Sequence, residues 1–399
     1  MSDALYYDPY DYEIDADPYP VWKRMRDEQP LYYNEEHDFY ALTRWDDVEA
    51  GLKNHQQLIS GRGTLLELIK AEIKFPPGML IFDDPPSHAA YRGLMSRVFT
   101  PRAMNAIEPQ VRRYAADALD RMRGEKKFDV IAALGAKMPM RVIGMLLGIP
   151  EDDQQALRDQ IDAGLHLEEG STGLQVSELD AAAANEDSYG EYLDQRLVEP
   201  TNDVMSRLVH TEFEDHEGVT RTLTREEALN YISLLSGAGN ETTTKLIGHT
   251  MKTLAEYPEQ RAEIVADPSL SKNAIEEMLR FEAPSPIQAR YVASDTEYHG
   301  EVVPAGSAIV LVDASANRDE RKWGDDAGEL NIHRSIDHHL SFGYGLHFCL
   351  GAALARLEGR VALEEMLKRF PEWHIDFDES ERSHTSTVRG WDKLTVVID

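Results

Sequence analysis

The chain has 399 residues, 42% of them hydrophobic, and a formal charge of −31. So much negative charge excludes nucleic acid and anionic membrane surfaces as partners, and leaves room only for a local basic patch that meets an acidic protein. The length allows an interior deep enough to enclose a cofactor. No break in composition divides residues 1–399, which are read as one domain with a single α-rich body.

No apolar run approaches the ~20 residues of a membrane span. The start, Met1-Ser2-Asp3-Ala4, reads as neither a signal nor a transit peptide. The single cysteine permits no internal disulfide, which suits a cytoplasmic protein.

Along the chain, Phe39 to Thr43 predict a strand, followed by an acidic helix start at Trp45-Asp46-Asp47. Residues 56–82 mix apolar side chains with Gly61, Gly63, Pro76, Pro77 and Gly78. Long irregular segments of this kind often line binding sites. Pro85-Pro86-Ser87 opens a helix that stops near Phe99-Thr100-Pro101. Helical periodicity returns over Ile107 to Met122 and again over Ile131 to Leu147. Residues 151–195 read as two polar helices joined by a mobile loop at 169–173.

Thr224 and Glu227 have the spacing of a capping box. They open a helix that runs to Tyr257, where Pro258 stops it. At about 50 Å it should cross the whole body. A further helix covers Ala274 to Phe281. Strands are expected at 290–293, 300–303 and 309–313, with a turn at Pro304-Ala305-Gly306. After a non-regular stretch, 315–341, and a glycine-rich loop, a helix spans Ala352 to Phe370 and Pro371 ends it. Leu394 to Ile398 form a short strand. The expected class is mainly α with small β-sheets.

The cysteine lies in Phe342-Gly343-Tyr344-Gly345-Leu346-His347-Phe348-Cys349-Leu350-Gly351, just ahead of a helix. Glycines let the backbone turn tightly and approach a flat ligand. Amide groups at a helix start stabilise a thiolate, which could bind iron. An inert buried thiol and a nucleophile remain open readings, although His347 is not securely placed as a base. Zinc is poorly supported without a second cysteine.

The long helix holds Gly237, Gly239 and three threonines, Thr242 to Thr244, at its centre. Each glycine costs about 1 kcal/mol relative to alanine. Small side chains there admit either a bulky ligand or a closely packed helix, and a threonine hydroxyl can open the helix locally. Glu277 and Arg280, three apart, would ordinarily be a surface pair. His88 and Arg92 are one helical turn apart and can point together.

Phe342, Gly343, Gly345, His347, Cys349 and Gly351 match the haem-binding signature of the cytochromes P450. The chain resembles the soluble bacterial type of that family, with further motifs in the family's order over residues 83–399 and a looser likeness before them. The resemblance implies haem b beneath the long central helix, with Cys349 as the axial ligand of its iron. It implies that Glu241 and Thr242 deliver protons to dioxygen, and that His88, Arg92, Arg290 and His347 hold the haem propionates. Glu277, Arg280 and Arg334 would brace the loop behind the haem. The pocket would draw on residues 60–82 and 168–195 and on Thr387, with Leu80, Leu234, Leu235, Ala238, Ile287 and Val388 as candidates.

The activity implied is that of a monomeric monooxygenase. It would insert one oxygen atom from O2 into a lipophilic small molecule by hydroxylation or epoxidation. The chain has no Gly-x-Gly-x-x-Gly opening a dinucleotide unit and no Cys-x-x-Cys cluster. A separate ferredoxin or flavin-type redox partner, fed by an NAD(P)H-dependent reductase, is therefore expected. Arg92, Arg97, Arg102, Arg112 and Arg356 are its candidate docking cations. The alternatives are a peroxygenase driven by hydrogen peroxide and a catalytically silent haem-binding or sensor protein. The Glu241-Thr242 pair argues against both.

Overall fold

The computed structural model describes residues 4–76, 78–154, 189–385 and 388–398. The expected loop at 169–173 and Thr387 lie outside the described residues. So does most of the 151–195 segment, of which 151–154 and 189–195 are helical.

After two N-terminal helices, Tyr12–Ala16 and Tyr19–Glu28, come two short strands, β1 (Leu31–Asn34) and β2 (Phe39–Leu42), then helix α1 (Trp45–Lys53) and the brief β3 (Leu58–Ile59). Helices α2 (Ser87–Ser96) and α3 (Pro101–Asp120) come next, then strand β4 (Lys127–Asp129) and helix α4 (Lys137–Leu147). Helix α5 (Arg225–Glu256) is the long one, and α6 (Ser271–Phe281) follows it. Strands β5 (Gln288–Val292) and β6 (Ala308–Leu311) lead to helix α7 (Ala352–Arg369). The last elements are strands β7 (Trp373–His384) and β8 (Arg389–Ile398).

The strands form a five-stranded sheet in the order β1-β2-β6-β5-β3 and a three-stranded sheet in the order β7-β8-β4. In the first, β6 pairs parallel to β2 and antiparallel to β5, with Ile309 opposite both Tyr40 and Arg290. That register fixes Arg290 in the middle of the sheet.

Helix α5 starts as its sequence dictates. The Thr224 hydroxyl accepts from the Glu227 N–H at 3.2 Å, and the Glu227 carboxylate accepts from the Thr224 N–H at 2.8 Å. Arg221 adds contacts of 2.7 and 2.9 Å, and the Tyr91 hydroxyl one of 2.7 Å. These bonds hold Glu227 at about 2 against the opposing push of burial, and they fasten α2 to the head of α5. From Asn240 to Met251 every residue of α5 except Thr242 is buried. A helix buried all round belongs in a core. Leu246, Ile247, Met251 and Leu254 are 0–1% exposed, each contributing roughly 1.5–3 kcal/mol by burial. Gly359 of α7 permits the closest approach: a Cβ there would lie 2.9 Å from Leu246.

The structure departs from the sequence expectations in four places. Ile131 to Leu147 is not one α-helix, because Ile131–Gly135 form a π-helical turn ahead of α4. Asp313 leaves the strand and starts a short helix, Asp313–Ala316. The stretch 315–341 contains a second short helix, Glu320–Trp323. The expected strand Leu394–Ile398 is only the end of a long hairpin, β7–β8, whose first arm, WHIDFDESERSH, has too few apolar residues to show an alternating pattern.

Candidate active site

Gly351 caps the start of α7, and the loop before it folds back so that the Cys349 N–H donates to the Phe342 carbonyl at 2.8 Å. The fold-back needs φ of +66° at Gly343 and +72° at Gly345, a region that side chains rarely adopt. Cys349 itself is half-buried. Burial pushes its thiol up, while the N–H groups of Gly351 and Ala352 and the charges of Arg92 and Arg356 pull it down. The expected thiolate stabilisation at the helix start is thus present but outweighed by burial. A metal ion at the sulfur would supply the missing term, since a coordinating thiol gives up its proton.

Beside this loop lies a cluster of two arginines and two histidines drawn from three elements. Arg92 of α2 donates to the Phe348 carbonyl. One turn earlier on α2, the His88 ring faces His347 with centroids 4.4 Å apart. Arg290 of β5 is 4% exposed. Burial holds His347 at about 3, helped by the charges of Arg290, His88 and Arg92. Burial and the Arg92 charge hold His88 at about 4. The structure therefore brings all four residues together.

Their partners are unusual. Both ring nitrogens of His88 and Nε2 of His347 are buried without a hydrogen-bond partner among the described residues. Arg290 donates to the Ala289 carbonyl at 2.8 Å and to Gln288 Oε1 at 2.9 Å, and Arg92 to a carbonyl. Among the described residues neither arginine is ion-paired to a carboxylate. Buried donors and charges left so are costly, and a flat group bearing two carboxylates fits this donor set.

Gln288 was not singled out by the sequence reading. It orients Arg290 and donates to the fully buried Asp313 at 3.0 Å, whose carboxyl burial pushes well above the usual range. The signal was available: residues two apart on a strand share a face.

On α5, Ala238 is exposed and Leu234, Leu235 and Thr242 are half-buried, in a helix otherwise enclosed beyond them. A Cβ at Gly237 would meet no heavy atom within 4 Å, and one at Gly239 only Ile143 at 3.6 Å. Close helix packing therefore does not account for Gly237. The Thr242 hydroxyl donates to the Ala238 carbonyl at 3.0 Å, and that of Thr244 to the Asn240 and Gly135 carbonyls at 3.0 and 2.8 Å. The helix remains continuous through these bonds, so the expected local opening does not occur. Glu241 is 9% exposed. Its neighbour one turn on, Lys245, is equally enclosed, a residue the sequence reading passed over.

The remaining pocket candidates divide. Ile287 keeps some exposed surface, whereas Leu80 and Val388 are already 4% and 7% exposed. The 60–82 segment joins the site through a hydrogen bond of 2.8 Å from the Ala289 N–H to the Thr64 carbonyl.

Glu277 and Arg280 are not a surface pair. Both are 0% exposed and bond twice at 2.7 Å. Arg280 also donates to the Asn317, Ala327 and Glu329 carbonyls. Arg334 reaches Glu277 at 3.2 Å and Asp326 at 2.9 Å. Of the candidate docking cations, Arg97 and Arg102 are exposed. Arg112 is engaged by Glu108, Glu364 and Glu365, and Arg356 by Glu276. These two offer little free charge.

Known proteins place this geometry. The family model for cytochrome P450 matches residues 185–390. A Mycobacterium tuberculosis relative named as a cytochrome P450 123 is 38% identical over 99% of this chain and 97% of its own length. The polyketide biosynthesis cytochrome P450 PksS of Bacillus subtilis is 30% identical over 99% of each chain. Among solved structures, a mutant of P450 EryK in complex with erythromycin B superposes with a TM-score of 0.87 at 30% identity, covering 96% of each chain. CYP109E1 from Bacillus megaterium in complex with testosterone gives 0.86 at 28% identity, covering 97% of this chain and 99% of that one. With identity above 30% across nearly the whole length and the cysteine loop and long helix in place, the chain belongs to the cytochrome P450 family of haem-thiolate monooxygenases.

Proposed function

We propose that this monooxygenase inserts one oxygen atom from O2 into a lipophilic small molecule, by hydroxylation or epoxidation, using haem b and electrons from a separate partner. Haem, when bound, supplies the redox-active iron that activates dioxygen. Cys349 Sγ holds that iron. His88, Arg92, Arg290 and His347 would hold the two propionates, which would satisfy the buried ring nitrogens that lack partners among the described residues. Thr242 Oγ1 would order the hydrogen bonds along which protons arrive, and the Glu241 carboxylate would exchange protons with solvent. Glu277, Arg280 and Arg334 keep the chain behind the cysteine loop rigid. Leu80, Leu234, Leu235, Ala238, Ile287 and Val388 make the substrate wall apolar and exclude water.

The observation that carries this reading is the cysteine loop set against two arginines and two histidines that, among the described residues, have no carboxylate partner. Solved relatives holding erythromycin B and testosterone support a bulky lipophilic substrate. No helix among the described residues is long and apolar enough to cross a membrane, which is compatible with a cytoplasmic monomer. Of the candidate docking cations, the exposed Arg97 and Arg102 would meet an acidic ferredoxin or flavin protein.

The test has two parts. A lipophilic library is titrated into haem-loaded protein while the Soret band is followed, and the compound giving the largest shift is taken on. With NAD(P)H alone it should not be turned over; adding a ferredoxin and its reductase should yield oxygenated product. Turnover on hydrogen peroxide alone at a matching rate would make the protein a peroxygenase. Thr242→Ala should keep haem content and electron consumption, while product per NAD(P)H falls and released peroxide rises.

A further inference from the structure

Lysine is among the residues least often buried, and an ammonium removed from water needs close compensation. Lys245 is 3% exposed at the centre of α5. Its Nζ lies 3.4 Å from Glu241 Oε1, one turn earlier on the same helix, and 2.8 Å from Asp392 Oδ1 on β8. The Trp391 carbonyl is 3.5 Å away. The Asp392 side chain is 30% exposed, the Glu241 side chain 10%. One enclosed ammonium thus joins the acid beside Thr242 to a carboxylate at the surface.

A second observation shows that the β8 hairpin is shaped around this lysine. Gly390 lies against its stem: a Cβ there would sit 2.9 Å from both Cβ and Cδ of Lys245 and 3.1 Å from Cγ. Any side chain at 390 would displace the stem.

Helix stabilisation alone does not explain the arrangement. An exposed pair at this spacing contributes little, whereas a buried ion pair is often matched or bettered by apolar residues of similar size. The arrangement is understandable if the orientation of Glu241 matters. We propose that Lys245 is a positioning residue: anchored by Asp392 and accommodated by Gly390, it holds the Glu241 carboxylate on the β8 side of α5 and so sets proton delivery past Thr242. Lys245 acts through Glu241 and is not itself a catalytic residue. The proposal rests on the role given to Glu241 above.

The experiment compares Lys245→Met, Lys245→Arg, Asp392→Asn, Gly390→Ala and Glu241→Gln as haem-loaded proteins, with the compound selected by the Soret titration. Three quantities are read: product per NAD(P)H, the solvent isotope effect on turnover, and the C–O stretching band of the reduced carbon monoxide complex. Lys245→Met should lower product per NAD(P)H roughly tenfold, within what misplacing a reacting group costs. It should also raise the isotope effect and shift or broaden the C–O band, with haem content unchanged. Lys245→Arg should restore most of each. Asp392→Asn and Gly390→Ala should move all three in the same direction by less, and they carry the test if Lys245→Met fails to fold. Adding Lys245→Met to Glu241→Gln should change nothing further. Wild-type values in Lys245→Met, or in both Asp392→Asn and Gly390→Ala, would overturn the proposal. If Glu241→Gln alone leaves the three quantities unchanged, it is the role of Glu241 that fails.

Discussion

Two of the protein's clusters of basic side chains treat their polar groups in opposite ways. Around Glu277, Arg280 and Arg334 the guanidinium groups meet carboxylates and carbonyls supplied by the chain itself. Around His88, Arg92, Arg290 and His347 they meet only neutral oxygens, and imidazole nitrogens are left without partners among the described residues. Each cluster has buried members: Glu277 and Arg280 in the first, His88 and Arg290 in the second. The difference lies in satisfaction. On the proposed reading, the closed cluster holds the fold and the open one receives a group that is not protein.

The comparison breaks most visibly at the closed cluster. Glu277→Ala leaves Arg280 buried and uncompensated, which should cost about 3–5 kcal/mol. Thermal unfolding would register this as loss of the native transition or of soluble protein, with or without haem. A variant of wild-type stability would mean that the cluster does not hold the fold.

Glu358 sharpens the comparison from another side. This acid of α7 is 1% exposed, beside the Thr243 hydroxyl but with no well-formed hydrogen bond to either oxygen. Burial pushes it up to about 8. The folded state therefore binds the proton more tightly than the unfolded chain does. The resulting stability is complete below the ordinary glutamate value near 4.5 and is lost as the pH rises toward 8. The slope approaches about 1.4 kcal/mol per pH unit inside that window. Glu358→Gln should flatten this slope in denaturant titrations between pH 5 and 8, with no matching change in haem affinity. A parallel loss of haem would place Glu358 with the open cluster instead.

The open cluster should show the smallest effect on the protein and the clearest effect on its ligand. On the proposed clamp, Arg290→Gln removes one charged contact to a propionate, worth about 1.5–3 kcal/mol. Haem should transfer to apomyoglobin roughly 10- to 100-fold faster, while unfolding of the haem-free protein is unchanged or slightly improved. Unaltered haem loss would remove Arg290 from the clamp.

How far the sequence carries can be judged from the same regions. The ends of α5 were legible because Thr224, Glu227 and Pro258 act locally, within one turn. The bend of the cysteine loop was legible because Gly343 and Gly345 supply a backbone conformation that other residues resist. The open cluster was found only through family motifs, since His88, Arg290 and His347 come from a helix, a strand and a loop that nothing local brings together. Non-local pairing also hid the strand order β1-β2-β6-β5-β3 and the arm β7, whose polar run gives no alternation. The burial of Glu277, the shielding of Arg112 by Glu108, Glu364 and Glu365, and the enclosure of Lys245 by Asp392 depend on packing between distant segments. Spacing alone cannot report that a pair is inside.

The central claim is that Cys349 offers its sulfur to a haem held by the open cluster, and its most direct test is optical. Reduced, haem-loaded protein exposed to carbon monoxide should show the red-shifted Soret band of a thiolate ligand, and Cys349→His should bind haem but lose that band for one typical of a nitrogen ligand. A Cys349 variant that keeps the wild-type carbon monoxide spectrum would contradict the account.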